Sequence, residues 1–221
     1  MSEPILLLEG VCVAYEPTRP VLAGCDLRVE AGERVGLVGA NGSGKTTLLA
    51  LLVGLIRPSA GRVEVFGKVR TSERDFRQIR GRAGLLFQDP DDQLFCPTVA
   101  EDVAFGPLNL GVGRDEVRQI VARTLDSLGL AGFEDRITYK LSGGEKRLVA
   151  VATVLAMQPE LLLLDEPTSG LDDEARARVI DVLAALPQAM LVVSHDRPLL
   201  ERLTTRVLRL ANGRIDRRAP P

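Results

Sequence analysis

The segment Gly39-Ala40-Asn41-Gly42-Ser43-Gly44-Lys45-Thr46 has the spacing G-x4-G-K-[S/T]. Its glycines let backbone N–H groups converge on phosphate oxygens, and a helix starting there adds the partial positive charge of its N-terminus. In that chemistry Lys45 holds the β- and γ-phosphates, and the Thr46 hydroxyl, with Thr47 beside it, faces Mg²⁺. The competing reading is a plain strand-to-helix turn, which a motif of this specificity disfavours.

A second segment, Leu161-Leu162-Leu163-Leu164-Asp165-Glu166-Pro167, is an apolar strand ending in two acids. A buried strand of this kind delivers its terminal carboxylates to the carboxyl edge of the sheet, where α/β folds bind ligands. Asp165 would bind Mg²⁺ through water. Glu166 would point elsewhere and orient or deprotonate an attacking water. Taken alone, the pair also reads as helix N-cap acids.

A third segment, Leu141-Ser142-Gly143-Gly144-Glu145, contains the S-x-x-E capping box. A cap does not explain two consecutive glycines in a first helical turn, where each costs ~1 kcal/mol relative to alanine. A bare helix N-terminus that admits a phosphate does.

The elements that must position these groups follow from hydrophobic periodicity. Leu6–Tyr15 and Leu22–Val29 read as strands, with Pro17 and Pro20 marking the turn between them. Arg34–Val38 is a short strand feeding the glycine loop, and an apolar helix runs from Lys45 to about Leu55. A turn at Pro58–Gly61 precedes the strand Arg62–Phe66. Residues 70–82, dense in charge, read as an exposed helix or loop, and Ala83–Phe87 as another strand. Helices are expected over Asp115–Leu128, Glu145–Met157 and Asp173–Leu186, with buried strands at Leu161–Leu164 and Ala189–Val193. Val207–Leu210, Asn212-Gly213 and Ile215 read as a closing hairpin. Strands alternating with helices imply a mostly parallel α/β sheet. The helical stretch of about 89–158 reads as a subdomain inserted between two sheet strands.

The chain has 221 residues, enough to bury a substantial core. With 28 Lys+Arg against 30 Asp+Glu, its net charge of -2 argues against a general nucleic-acid binder. Arg214, Arg217 and Arg218 form only a small basic patch. Cys12, Cys25 and Cys96 are scattered and contain no CxxC pair, which points to a reducing compartment without disulfides or structural zinc. Met1-Ser2-Glu3-Pro4 lacks the basic region of a signal peptide. The apolar stretch Leu148–Leu164 is broken by Gln158, Pro159 and Glu160. No segment reaches the ~20 apolar residues that span a bilayer.

At Leu141–Glu145 the chain resembles the ATP-binding cassette (ABC) ATPases, and the likeness covers essentially its whole length. It implies an α/β fold: a P-loop NTPase cassette with a RecA-like mixed and parallel sheet core, an N-terminal antiparallel β subdomain and an inserted α-helical subdomain, all one domain over residues 1–221. It also implies ATP and Mg²⁺ as ligands. Ser142, Gly143 and Gly144 would contact nucleotide bound to the other subunit of a dimer. Tyr15 matches the aromatic that stacks on adenine. Gln88 matches a Mg²⁺ ligand and sensor of the membrane partner. Ser169-Gly170-Leu171-Asp172 matches the family's D-loop, with Asp172 among the nucleotide-binding residues, and His195 matches the switch histidine that faces the γ-phosphate. Residue by residue, plainer readings stand beside these. Tyr15 reads also as an ordinary strand aromatic, Gln88 as a polar strand end, and His195, the only histidine, as a satisfied core residue.

Phe87-Gln88-Asp89-Pro90-Asp91-Asp92-Gln93-Leu94-Phe95, Pro97-Thr98-Val99 and Glu101-Asp102-Val103-Ala104-Phe105-Gly106-Pro107 are similar to the energy-coupling-factor group of importers, and within it to the ATPase subunit of cobalt transporters. The three acids read equally as a solvated loop. The resemblance implies an ATPase on the cytoplasmic face of the inner membrane, peripheral to it. Its partners would be a second ATPase subunit in a homodimer, a transmembrane coupling protein and a substrate-specific membrane protein, with no nucleic acid. Nickel or a vitamin are alternative solutes. Because the chain ends soon after Ile215, it is expected to be a minimal cassette. Two other classes compete: a soluble cassette ATPase of DNA repair or translation, which usually fuses two cassettes or inserts long coiled coils, and a P-loop kinase or GTPase, which needs no Leu141–Glu145 segment.

Overall fold

The computed structural model describes residues 3–16 and 19–216. Pro17, and Arg217 and Arg218 of the basic patch, lie outside the described residues, as do Met1 and Ser2. In chain order the elements are β1 (Pro4–Glu16), β2 (Arg19–Glu30), β3 (Arg34–Val38), α1 (Lys45–Leu52), β4 (Ala60–Val65), β5 (Lys68–Val69), α2 (Glu73–Arg80), β6 (Ala83–Leu86), α3 (Val99–Asn109) and α4 (Arg114–Ser127). There follow α5 (Gly143–Ala156), β7 (Leu161–Asp165), α6 (Asp173–Ala185), β8 (Ala189–Val193), α7 (Arg197–Leu203), β9 (Arg206–Ala211) and β10 (Arg214–Asp216). Two compact units emerge. One takes the described residues of Met1–Leu85, Glu160–Asp165 and Pro187–Pro221, the other Leu86–Pro159 and Glu166–Leu186.

The first unit holds a four-stranded sheet in the order β2-β1-β4-β5, whose paired strands all run antiparallel. A six-stranded sheet has the order β10-β9-β3-β8-β7-β6, with the pairs β9–β3, β3–β8 and β8–β7 parallel and β10 closing on β9 as an antiparallel hairpin. Every residue of β7 and β8 is buried, as expected for parallel strands covered on both faces. In β1 the inward residues switch parity, from Leu6 and Leu8 to Val11 and Val13. The register of β1 shifts between Leu8 and Val11, so one extra residue rotates the strand and both halves face the core. Leu6, Leu8, Leu22, Leu37, Leu48 and Leu163 belong to one hydrophobic cluster shared by the two sheets and α1.

In the second unit, α3 and α5 begin with reciprocal capping boxes, Thr98 with Glu101 and Ser142 with Glu145. Asp102, almost fully buried, accepts hydrogen bonds from the Phe95 and Cys96 backbone N–H groups at 3.0 and 2.9 Å and from the Thr138 hydroxyl at 3.0 Å. That satisfies the buried carboxylate and ties the start of α3 to the loop before α5. Gly106 allows α3 to approach the end of α5, since a Cβ there would lie 2.5 Å from Met157 Cγ.

Several sequence expectations need correction. The helix from Lys45 stops at Leu52 rather than Leu55, because Gly54 turns into the left-handed region (φ 73°). Pro20 is not in the turn but inside β2, opposite Ala14. Ala60 and Gly61 open β4 instead of belonging to the preceding turn, and both β4 and β6 end one residue earlier than expected, at Val65 and Leu86. The charged stretch 70–82 is neither fully exposed nor a loop: α2 buries Phe76 and Ile79, and Arg70 is buried with its guanidinium on the Val65 carbonyl. Helix α7 went unanticipated, and α3 was covered only by the general reading of 89–158 as helical.

Candidate functional site

The turn from β3 into α1 forms a tight cradle. A Cβ at Gly39 would lie 2.4 Å from the Leu210 carbonyl oxygen of β9, so only glycine fits. Gly44, with φ 102°, supplies the left-handed residue immediately before α1. Lys45 folds back over the loop and donates to the carbonyls of Gly39 and Ala40 at 2.7 and 3.1 Å. The buried Ser43 hydroxyl has no hydrogen-bond partner among the described residues. A cavity of about 330 Å³ adjoins the loop residues Asn41 and Ser43. Its described lining includes Arg19 and Arg209 and no acid, which suits an anionic ligand.

The next residue binds the two halves of the site together. Thr46 Oγ1 donates to Asp165 Oδ2 at 2.6 Å across 119 positions of sequence. Asp165 ends β7 and is only 2% exposed. Parallel order in the sheet accounts for this: β7 pairs with β8 and β8 with β3, so the acid strand ends at the same edge as the strand that feeds the loop. A hydroxyl and a carboxylate oxygen side by side form a hard-oxygen pair, the donor chemistry that Mg²⁺ prefers.

The Thr47 hydroxyl shares a hydrogen bond of 3.2 Å with the Tyr15 hydroxyl. Tyr15 is 65% exposed, so its ring is not a core aromatic but a surface available for stacking. His195 is exposed as well, just beyond the buried Ser194 at the end of β8. The satisfied core histidine is thereby excluded.

Gln88 and Glu166 belong to the second unit, as do Ser142–Gly144 and Asp172. Gln88 is exposed, two residues beyond β6. Glu166 follows Asp165 with φ 50°, a left-handed backbone that is strained for a non-glycine residue and aims its side chain differently from a continuing strand. Neither acid caps a helix, since the cap of α6 is Asp172, which accepts from the Ala175 N–H at 2.8 Å. Ser142 and Gly143 are exposed at the tip of α5. Ser142 Oγ accepts from the Glu145 N–H at 3.2 Å. The Ser142 backbone N–H holds the Glu145 carboxyl below the usual carboxylate range, and Arg136 adds to that shift.

Comparison with known proteins decides the family. The family model described as ABC transporter matches residues 22–169. The chain belongs to the ABC transporter family. An ABC transporter ATP-binding protein of Brucella suis is 53% identical over 96% of this chain and 88% of its own length. The energy-coupling factor transporter ATP-binding protein EcfA of Methanothermobacter thermautotrophicus is 44% identical over 94% of this chain and 68% of its own. Among solved structures, cbiO1 of Clostridium perfringens, part of the ABC transporter complex cbiONQ, superposes with a TM-score of 0.85 at 33% identity, covering 99% of this chain and 89% of that one. A dimeric ATP-binding cassette in a post-hydrolysis state, bound to ADP and phosphate, gives 0.89 at 26% identity, covering 96% and 97%. The fold is therefore that of an ABC cassette, a P-loop NTPase of mixed α/β type with an antiparallel β subdomain, and the protein is an ABC transporter ATPase that hydrolyses ATP for transport.

The cassette also uses residues that the sequence did not single out. Arg147 is 4% exposed and donates to the carbonyls of Phe87 and Gln88. The available signal was an arginine at the head of the apolar run Leu148–Ala152, where a charge needs a partner. The Thr47–Tyr15 bond had no signal in either segment.

Proposed function

We propose that this cassette is the ATPase subunit of an energy-coupling-factor importer, with cobalt ion as the transported solute. The observation that carries the nucleotide chemistry is the 2.6 Å bond between Thr46 and Asp165, which joins the phosphate loop to the acid strand. The importer group is supported by the likeness to EcfA and to cbiO1 and by the segment Phe87–Pro107.

In this reading Gly39–Lys45 wrap the phosphates of ATP, with backbone N–H groups and the Lys45 ammonium neutralising the β- and γ-phosphates. Tyr15 stacks on the adenine. Thr46 and Gln88 would hold Mg²⁺ directly and Asp165 through water. When bound, that ion supplies charge neutralisation across the β- and γ-phosphates. Glu166 orients a water and takes its proton as the oxygen attacks the γ-phosphorus. The β–γ anhydride bond breaks, and ADP leaves with the bridging oxygen. His195 steadies the γ-phosphate. A second copy supplies Ser142–Gly144 and the loop containing Asp172, so ATP closes a homodimer and hydrolysis lets it part. Residues 1–221 act as one cassette, with 89–158 as its helical subdomain.

The membrane partners would dock on the second unit. Phe95 is 66% exposed and Phe105 48%, their rings in edge-to-face contact at 4.8 Å. The acids Asp91 and Asp92 lie beside Phe95 in the chain. An exposed apolar pair rimmed by charge marks a protein-interaction surface. Asp91→Lys together with Asp92→Lys is expected to abolish co-purification with the membrane subunits while leaving the cassette folded. Unchanged co-purification would remove this surface from the interface. The solute is tested by ATP-dependent uptake into vesicles carrying the whole transporter. Cobalt uptake that nickel or a vitamin fails to suppress supports the assignment, whereas uptake of either of those in place of cobalt replaces it. The ATPase would sit peripherally on the cytoplasmic face of the membrane. Among the described residues no helix is long and apolar enough to cross one.

A further inference from the structure

Strand β6 ends at Leu86, so the next two carbonyls, those of Phe87 and Gln88, pass out of the sheet ladder into a part-buried setting. Backbone carbonyls in such a place must find donors. The guanidinium of Arg147, on the second turn of α5, takes both of them. It is not alone. Gln93 accepts from the Phe87 N–H at 3.1 Å, and its amide donates to the Ala150 carbonyl at 2.9 Å and the Thr153 hydroxyl at 2.6 Å of the same helix. Lys146 pairs with Asp91 at 2.5 Å. Three successive attachments therefore fasten residues 87–93 along the flank of α5, entirely within the second unit.

The two ends of this fastened body carry different chemistry. Gln88 stands at one end. At the other, one turn before Arg147, α5 begins with the exposed Ser142 and Gly143. We propose that Arg147 is a positioning residue, which locks the Gln88 segment to α5 so that Gln88 and the Ser142–Gly144 tip are displaced together. This rests on the reading of Gln88 and the tip as groups that touch nucleotide in two different sites of the dimer. A rigid fork is suited to the task. Its planar donors fix both distance and orientation of two neighbouring carbonyls, which a single ammonium cannot do. A docking force applied to residues 89–95 would then reach both nucleotides at once. Without the clamp, Gln88 keeps its side chain but loses its fixed backbone, so ATP still binds and the catalytic arrangement is populated less often.

Arg147→Gln keeps much of the volume and removes the fork. Steady-state ATP hydrolysis by the full chain is expected to show kcat lowered by about tenfold with KM changed by less than about twofold, and Arg147→Lys is expected to recover part of the loss. In a Gln88→Ala background, Arg147→Gln is expected to add almost nothing, because the clamp acts through Gln88. Multiplied effects in the double variant, or an unchanged kcat in Arg147→Gln, overturn the proposal. If Gln88→Ala itself leaves turnover intact, the reading of Gln88 has failed and the clamp's role falls with it. If Gln88→Ala lowers turnover and Arg147→Gln does not, only the clamp fails. Should Arg147→Gln prove unfolded by circular dichroism, Gln93→Leu severs a neighbouring attachment and is expected to show the same kcat loss and the same non-additivity with Gln88→Ala. A Gln93→Leu variant with wild-type turnover contradicts the proposal just as directly.

Discussion

Replacing Glu166 by Gln is expected to lower ATP turnover by ~10²–10⁴-fold, the usual contribution of a positioned general base. The amide is nearly isosteric with the carboxylate and still hydrogen-bonds a water, but it cannot take the proton as the new P–O bond forms. Glu166 sits on a left-handed backbone of φ 50° directly after the buried Asp165, so the substitution leaves the main-chain strain as it was. ATP binding survives and hydrolysis stalls, and the nucleotide-joined dimer accumulates. Phosphate release measures the first effect, and size-exclusion chromatography at saturating Mg-ATP the second. A variant that elutes only as monomer under those conditions refutes closure by ATP.

Asp165→Asn is the second large effect. The Thr46 hydroxyl donates to Asp165 Oδ2 at 2.6 Å, and it can donate equally to an Asn carbonyl oxygen, so the strand end and the loop stay tethered. What disappears is the negative charge. Stabilisation of transition-state charge by a bound divalent ion is worth several kcal/mol, and each ~1.4 kcal/mol is a factor of ten in rate. Hydrolysis is therefore expected to fall by ~10²–10³-fold, and its half-saturating Mg²⁺ concentration to rise. ATP binding measured in EDTA is expected to change by less than about twofold. Wild-type Mg²⁺ dependence in this variant would remove Asp165 from the metal site.

How much of this arrangement was legible beforehand depended on the kind of force that sets each piece. The glycine loop and the strand Leu161–Asp165 were plain, because backbone permissiveness and uniform burial write themselves directly into composition. The capping box at Ser142 was equally plain, since a cap is local. Helix α3 carries Gly106 and Pro107, which are helix-breaking residue types; Gly106 is there for close packing on Met157, and the helix runs only two residues past Pro107. Helix α7 is only seven residues long and opens with Arg197-Pro198, so it offered no periodicity to count. The parity switch in β1 could not be foreseen, because a bulge is decided by the two partner strands rather than by β1 itself. For the site, each residue type was visible, whereas the bonds Thr46–Asp165, Tyr15–Thr47 and Arg147 to the Gln88 carbonyl span 119, 32 and 59 positions and exist only through the fold.

The central claim is that two copies of this cassette complete each other's nucleotide sites. The most direct measurement is a crystal structure of the protein with Mg²⁺ and a non-hydrolysable ATP analogue. The account predicts Ser142 and the N–H groups of Gly143 and Gly144 within hydrogen-bond distance of the γ-phosphate held by Lys45 of a second copy. A structure with nucleotide on Lys45 and the α5 tip of every neighbouring copy turned to solvent would contradict it.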